Sequence, residues 1–293
     1  MKIIAHRSGP TVFPEQTIQS ALFAKENGAD LVEIDIRFTK DKKLVVSHDE
    51  NAARVFGVDK NIGEMSGDEF AALRHKNARI YTSHFLEDYM ESGVGPLLIH
   101  VKEDEALDAL LESIENHDYL HKVVLGVQSP EAVKKVKAYD STIKVLGFLP
   151  DVGSISAFGE TQADAIRLIE GWLNADTAQS VRKYGKELWI MTWTPEVGLT
   201  TPENLKKIHP FHPDALLIND VTTLRPYIAG ECAAKNSVAR SAFYASHEKA
   251  SLTVCMRSPK ADIDFWREFC IMEGKSAGAR RRGGAGKLNM LHP

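Results

Sequence analysis

Leu31-Val32-Glu33-Ile34-Asp35-Ile36-Arg37 is the stretch on which the reading of this chain turns. Its composition is that of a strand, and side chains along a strand alternate between two faces. Glu33 and Asp35 therefore share one face, and Val32, Ile34 and Ile36 share the other. The apolar set is expected to face helices, which puts both carboxylates in the interior of a sheet. An ionised carboxylate there costs several kcal/mol unless something compensates it. A divalent cation compensates two at once. A solvated strand end, its acids paired with Arg or Lys, is the plainer reading of the same pattern.

Working outward, the chain alternates strands and helices. Lys2–Ala5 is a short apolar run that ends in His6, and Pro14–Asn27 has helical spacing at Ile18, Ala21, Leu22 and Lys25. Pro14 suits a first helical turn and Gly28 a C-terminal stop. Extended segments are expected at 31–38, 44–47, 96–102, 122–127, 143–148, 165–169, 187–193 and 215–218. Helices are expected between them, at about 83–91 and at 105–115, 130–139, 176–184, 202–208 and 221–228. That makes about eight strand–helix units over about 230 residues, the size of a closed parallel barrel. An open doubly wound sheet is the alternative, but the Gly-x-Gly-x-x-Gly turn after its first strand is missing. The expected fold is α/β, a (β/α)8 TIM-type barrel over 1–230. A small insertion follows the second strand at about 50–85, where no core strand is legible, and a tail is appended over 231–293.

The composition is ordinary for a globular protein: 293 residues, 43% hydrophobic and 26% charged. No apolar run approaches the ~20 residues of a transmembrane helix. The opening Met1–Ala5 passes at once to His6-Arg7 without a signal-peptide pattern, so a cytoplasmic location is expected. Residues 1–231 carry a formal charge of −10 and residues 232–293 one of +6. An acidic body argues against nucleic acid as a partner. All three cysteines (Cys232, Cys255, Cys270) fall in the tail, so the body has neither a disulfide framework nor a thiolate metal site. The basic tail is expected to hold one helix, over 261–273, and otherwise to be largely disordered, its Arg280-Arg281-Arg282 run included.

Other strand ends carry charges like those of the decisive stretch. His6 closes the first strand, His48 follows Leu44–Ser47, and His100 and Lys102 share one face of a later strand. In a parallel barrel such ends converge on one mouth. A cation, imidazoles that exchange protons near neutral pH, and fixed positive groups match hydrolysis of a phosphate ester. Glu170 is expected to cap a helix or to be solvated, and Trp172 and Trp189 to pack. His75, His84, His117, His121, His209 and His212 are expected at surface or loop positions.

At these residues the sequence resembles the glycerophosphodiester phosphodiesterase family. The motifs are Ile4-Ala5-His6-Arg7, Pro14-Glu15-Gln16-Thr17, Gly28 to Asp35, Thr39-Lys40-Asp41 and Leu44 to Asp49. The likeness continues more thinly through 99–102, 127–129, 193–194 and 219–220. It implies a barrel enzyme, a phosphoric diester hydrolase that uses a metal to convert a small glycerophosphodiester to glycerol 3-phosphate and an alcohol. The substrate's own glycerol hydroxyl is the implied attacker, through a cyclic phosphate that water then opens. His6 and His48 match the acid–base pair, and Glu33 and Asp35 match metal ligands, ordinarily for Mg²⁺ or Ca²⁺. Arg7 and Lys102 match residues close to the phosphate, Glu15 the acid that steadies that corner, and Trp193 an aromatic lining the glycerol side. The family's third metal-binding carboxylate falls at His100, and an imidazole there shifts preference towards Mn²⁺, Co²⁺ or Zn²⁺. Gln16 stands for the usual Asn, Ser8-Gly9 for two glycines, and Asn219-Asp220 for Thr-Asp. Two alternatives remain: a phospholipase-type barrel for lysophospholipid or phosphoinositide, and a catalytically silent phosphodiester-binding barrel. The first needs an apolar collar, for which Val55, Phe56, Met65, Phe70 and Leu73 are the candidates.

Overall fold

A computed structural model describes residues 1–228. The tail over 231–293, with its expected helix and basic run, lies outside the described residues. The strands are β1 (Lys2–Ala5), β2 (Leu31–Phe38), β3 (Leu44–Val46), β4 (Leu97–Val101), β5 (Val123–Val127), β6 (Lys144–Phe148), β7 (Ala165–Ile169), β8 (Glu187–Met191) and β9 (Ala215–Ile218). All except β3 run parallel around a closed ring, β1-β2-β4-β5-β6-β7-β8-β9, and β1 closes it by pairing with both β2 and β9. This is the eight-stranded parallel barrel expected from the sequence. β3 is a spur antiparallel to β2, with Val46 opposite Ile36. It returns the chain so that Ser47 N–H donates to the Asp35 carbonyl at 2.9 Å, which delivers His48 to the mouth.

Strand alternation divides the apolar residues between two cores. Val32, Ile34, Ile36, Ile99, Val101, Leu125, Ile166, Leu168 and Ile190 face outward and pack with helix residues such as Leu110, Val133, Val136 and Val181. Ile4, Leu31, Leu98, Val124, Leu146, Ala165, Trp189, Met191 and Leu217 fill the interior. Burying such a side chain fully is worth about 1.5–3 kcal/mol, so a one-residue slip in any strand, which would exchange the faces, is strongly disfavoured. Trp189 packs as expected.

The first helix differs from its expected span. It runs Ile18–Glu26, with Thr17 as the N-cap accepting from Ser20 N–H at 3.2 Å. Pro14–Gln16 stay outside because Gln16 takes a positive φ of 58°, which no helix accommodates. The segment after β3 folds on itself: short helices Ala53–Phe56 and Gly67–Ala71, the latter opened by a Ser66/Glu69 capping box, enclose Phe56, Ile62, Met65, Phe70 and Leu73. These side chains form the segment's own core with Val45 and Ala52. Of the collar candidates, Phe56, Met65, Phe70 and Leu73 are therefore spent in that core, and Val55 packs against it partly buried.

Candidate active site

The end of β1 turns abruptly. Arg7 and Ser8 both have positive φ, 48° and 69°, a conformation that costs non-glycine residues about 1–3 kcal/mol and clusters at functional sites. The turn points Arg7 N–H at Glu33 Oε2, 2.6 Å away. His6 is buried, and Asn219, just past β9, holds its ring at 2.7 Å from Nδ1. The Asn219 amide nitrogen donates to Val197 O, so its oxygen faces the imidazole and accepts from Nδ1–H. That leaves His6 Nε2 with a lone pair. Burial, and then the neighbouring Arg7 charge, push the His6 pKa down to about 4.

His48 receives the complementary treatment. Arg7 Nη2, always a donor, lies 2.9 Å from His48 Nε2, so that nitrogen accepts. Its Nδ1–H donates to Asp49 Oδ1 at 2.7 Å. Burial lowers the His48 pKa, while Asp35 and Asp49 oppose the shift. Glu15 takes the other end of Arg7, at 3.5 Å, and is itself gripped by both Nη atoms of Arg54.

The carboxylate pair lies where strand alternation puts it, with Glu33 and Asp35 both 1% exposed. Asp35 is saturated: Lys102 Nζ at 2.9 Å and His100 Nδ1 at 2.8 Å meet Oδ1, and Gln16 Nε2 meets Oδ2 at 2.6 Å. Burial would raise its pKa, but Lys102 and His100 outweigh burial and hold it well below the usual carboxylate range. Glu33 is pushed up instead, by burial and then by the charge of Asp35. Glu33, Asp35 and His100 offer ligand atoms that all lie within 4.8 Å of one another. Two buried carboxylates, one of them resisting ionisation for want of positive charge, are a donor set that fits a divalent cation. His100 is less free: Nδ1 serves Asp35 and Nε2 lies 3.1 Å from Gln128 Nε2. Burial and Lys102 push its pKa down to about 3. Its ring stacks on Phe148 at 3.9 Å and 15°, and Arg167 Cζ lies 4.7 Å from the same Phe148 ring.

Contacts thus join Arg7, Glu15, Glu33, Asp35, His48, His100 and Lys102 into one cluster, and His6 lies within electrostatic reach of Arg7, Asp35 and His48. Trp193 stands apart, 47% exposed on the loop after β8. Glu170, rather than capping a helix, pins that loop: it accepts from Trp193 N–H at 2.7 Å, Thr194 Oγ1 at 2.9 Å and Asn204 Nδ2 at 2.9 Å. Gly198 in the same loop has φ +79°, and a Cβ there would overlap Asn219 Oδ1 and come within 2.5 Å of His6 Nδ1. His75 and His84 are not surface residues. His75 is 5% exposed with its ring 5.1 Å from Phe56, and the His84 side chain is 12% exposed.

Sequence reasoning missed Arg54, Phe148, Arg167 and the partnership of Asp49 with His48. Phe148 and Arg167 were within its reach, since alternation puts both on the inward face of their strands with Leu146 and Ala165. Arg54 carried no such signal.

Fold and site together define a parallel (β/α)8 barrel with a buried carboxylate pair and two imidazoles at its mouth. A model of the glycerophosphoryl diester phosphodiesterase family matches residues 6–208, and the chain belongs to that family. A glycerophosphodiester phosphodiesterase of Caldanaerobacter subterraneus is 23% identical over 238 residues, 76% of this chain and 95% of that protein. A human lysophospholipase D is 25% identical over 153 residues, 47% of this chain; the match spans 48% of that relative's length. The solved Oleispira antarctica phosphodiesterase in complex with the product sn-glycerol-3-phosphate superposes with a TM-score of 0.67 at 20% identity, over 78% of this chain and 97% of that one.

Proposed function

We propose that this chain hydrolyses glycerophosphodiesters to glycerol 3-phosphate and an alcohol, with Glu33, Asp35 and His100 as the site of a divalent cation. The observation that carries the reading is the pair of imidazoles, each tied at Nδ1 with a lone pair at Nε2, that of His48 accepting from Arg7, beside two buried carboxylates. When bound, the cation supplies charge to a non-bridging phosphate oxygen. Arg7 swings its Nη2 from His48 to the phosphate, and Lys102 adds a second positive charge. His48, released and backed by the Asp49 carboxylate, takes the proton of the attacking hydroxyl at Nε2. His6, backed only by the neutral Asn219, is the weaker base and the better proton donor once the phosphate monoanion favours its charged form. It gives its proton to the leaving oxygen as the P–O bond to the alcohol breaks, leaving a cyclic phosphate. Water then opens the ring with the proton transfers reversed: His6 takes the water's proton, and His48 returns one to the glycerol oxygen whose P–O bond breaks. Mg²⁺, Ca²⁺, Mn²⁺, Co²⁺ and Zn²⁺ are all tested by the reading, because the carboxylates favour the hard ions and His100 the softer ones.

Four of the five collar candidates, Phe56, Met65, Phe70 and Leu73, are buried in the insertion's own core, which favours small diesters over lysophospholipid or phosphoinositide. The test is hydrolysis of glycerophosphocholine and glycerophosphoethanolamine with each ion and with chelator. The expected result is ion-dependent turnover that His6→Ala or His48→Ala lowers by about 10²–10⁴-fold. Turnover unchanged by either substitution would refute the acid–base roles. No cleavage with any ion leaves the lysophospholipid- or phosphoinositide-cleaving barrel and the silent binding barrel as the surviving readings. The same assay on a fractionated cell lysate checks the cytoplasmic location.

A further inference from the structure

Five side chains form a closed ring of contacts around the mouth. His48 Nε2 meets Arg7 Nη2 at 2.9 Å, Arg7 Nη1 meets Glu15 Oε2 at 3.5 Å, and Glu15 is held by both Nη atoms of Arg54, at 2.9 and 2.5 Å. Arg54 Nε then grips Asp49 Oδ2, and Asp49 Oδ1 returns to His48 Nδ1 at 2.7 Å. Arg54 belongs to the insertion and touches no reacting group in this ring; every other member comes from the barrel's own strand ends and loops.

We propose that Arg54 is a positioning residue through which the insertion fixes the tautomer of His48, an inference that rests on the role given to His48 above. Glu15 and Asp49 are two carboxylates facing one guanidinium. Without it they repel each other, and Asp49 loses the bond that aims its second oxygen at His48 Nδ1–H. The fork geometry matters as well as the charge. Nε serves Asp49 while the two Nη atoms serve Glu15, and an ammonium has no fixed fork with which to do both. When Asp49 turns away and Arg7 has left Nε2 for the phosphate, nothing selects Nδ1–H over Nε2–H, and a fraction of the imidazole presents a proton where the base needs a lone pair.

The decisive measurement is the ¹⁵N–¹H correlation spectrum of the histidine rings in the full chain with Mg²⁺ and glycerol 3-phosphate added, so that the phosphate draws Arg7 off His48 Nε2. The wild type is expected to show His48 as the Nδ1–H tautomer. Arg54→Gln is expected to show a mixture with Nε2–H, while His6, tied to Asn219, keeps its signature. Arg54→Lys, which keeps the charge but not the fork, is expected to give a mixture too. Turnover of whichever diester the wild type cleaves should fall about ten- to a hundredfold in kcat, the scale of residues that orient ligating or reacting groups. An unaltered His48 tautomer in Arg54→Gln, or equally good rescue by Arg54→Lys, overturns the proposal. If Arg54→Gln fails to fold, Arg54→Lys alone carries the test. A wild-type chain that cleaves no diester sinks the functional reading, whereas the tautomer still decides the role of Arg54.

Discussion

Replacing Gly126 by alanine should destabilise the barrel, although the backbone alone predicts the opposite. In a strand, alanine is normally better than glycine by about 0.5–1 kcal/mol, and Gly126 has no unusual backbone angle to protect. The difficulty is Phe148. A Cβ on Gly126 would overlap Phe148 Cε2 outright and meet Cδ2 at 3.0 Å. Carbon atoms pack at about 3.5–4.0 Å, so the ring has to move by roughly 1 Å. It has little room to do so: the His100 ring lies 3.9 Å away, nearly parallel, and Arg167 Cζ 4.7 Å from its centroid. Overpacking of this kind costs about 1–3 kcal/mol. At about 2–4 °C per kcal/mol, the melting temperature should fall by roughly 2–12 °C. Urea unfolding of the wild type, Gly126→Ala, Phe148→Leu and the double variant measures the effect. If the clash is the cause, the smaller leucine side chain relieves it, and the double variant is more stable than the two single losses predict by at least about 1 kcal/mol. A Gly126→Ala chain within about 0.5 kcal/mol of wild type, or strictly additive losses, would refute the reasoning.

Glu33→Gln should raise the metal-free melting temperature near pH 7, because the native state resists ionisation of Glu33 while the unfolded chain does not. A group raised in this way costs stability as pH climbs above its unfolded value, so the metal-free wild type should lose stability over that climb and Glu33→Gln should lose less; added divalent ion should stabilise only the wild type. Burial pushes His75 down to about 4 from an ordinary 6.5; its contribution to stability is full above 6.5 and drains away as pH falls towards 4, so urea midpoints of His75→Phe should slope less with pH over that window. Gly198→Ala, with a positive φ and a Cβ in the path of the His6–Asn219 bond, should cut kcat about tenfold or more while changing metal affinity little, as steady-state kinetics and calorimetry would show.

The parts of this molecule legible in the sequence are those governed by local periodicity. At 31–37 the period-two pattern sorts apolar from acidic residues, and the barrel obeys it because each strand face meets a different core. Illegible parts depend on contacts distant in sequence. Gln16 leaves the helical region because its side chain is drawn to Asp35, at 2.6 Å, and its N–H to Arg7 O, at 3.0 Å; the expected start at Pro14 read propensity without that pull. His75 reads as a loop residue until Phe56, nineteen positions earlier, closes over it. The residues that carry charge at strand ends were visible because charge inside a barrel is anomalous. Of the residues that orient them, Glu15 was legible only through the family motif, and Asp49 and Arg54 were not, because an Asp on a loop or an Arg on a short helix is ordinary in isolation.

Glu33 and Asp35 show how one strand builds two unlike acids. They are two residues apart, equally buried and on the same face, yet their surroundings pull their proton affinities in opposite directions. Asp35 has Lys102, His100 and Gln16 around it, and its charge is settled whether or not an ion arrives. Glu33 has the Arg7 N–H at one oxygen and the Asp35 charge nearby, and its ionisation waits on further positive charge. The saturated acid gives the site a fixed anionic wall, while the unsaturated one couples cation capture to loss of a proton. Calorimetric titration with Mg²⁺ in two buffers of different ionisation enthalpy at pH 7 should therefore report net proton release from the wild type and none from Glu33→Gln. Equal heats in the two buffers for the wild type would mean that Glu33 is already charged, and the asymmetry argued from its neighbours would be wrong.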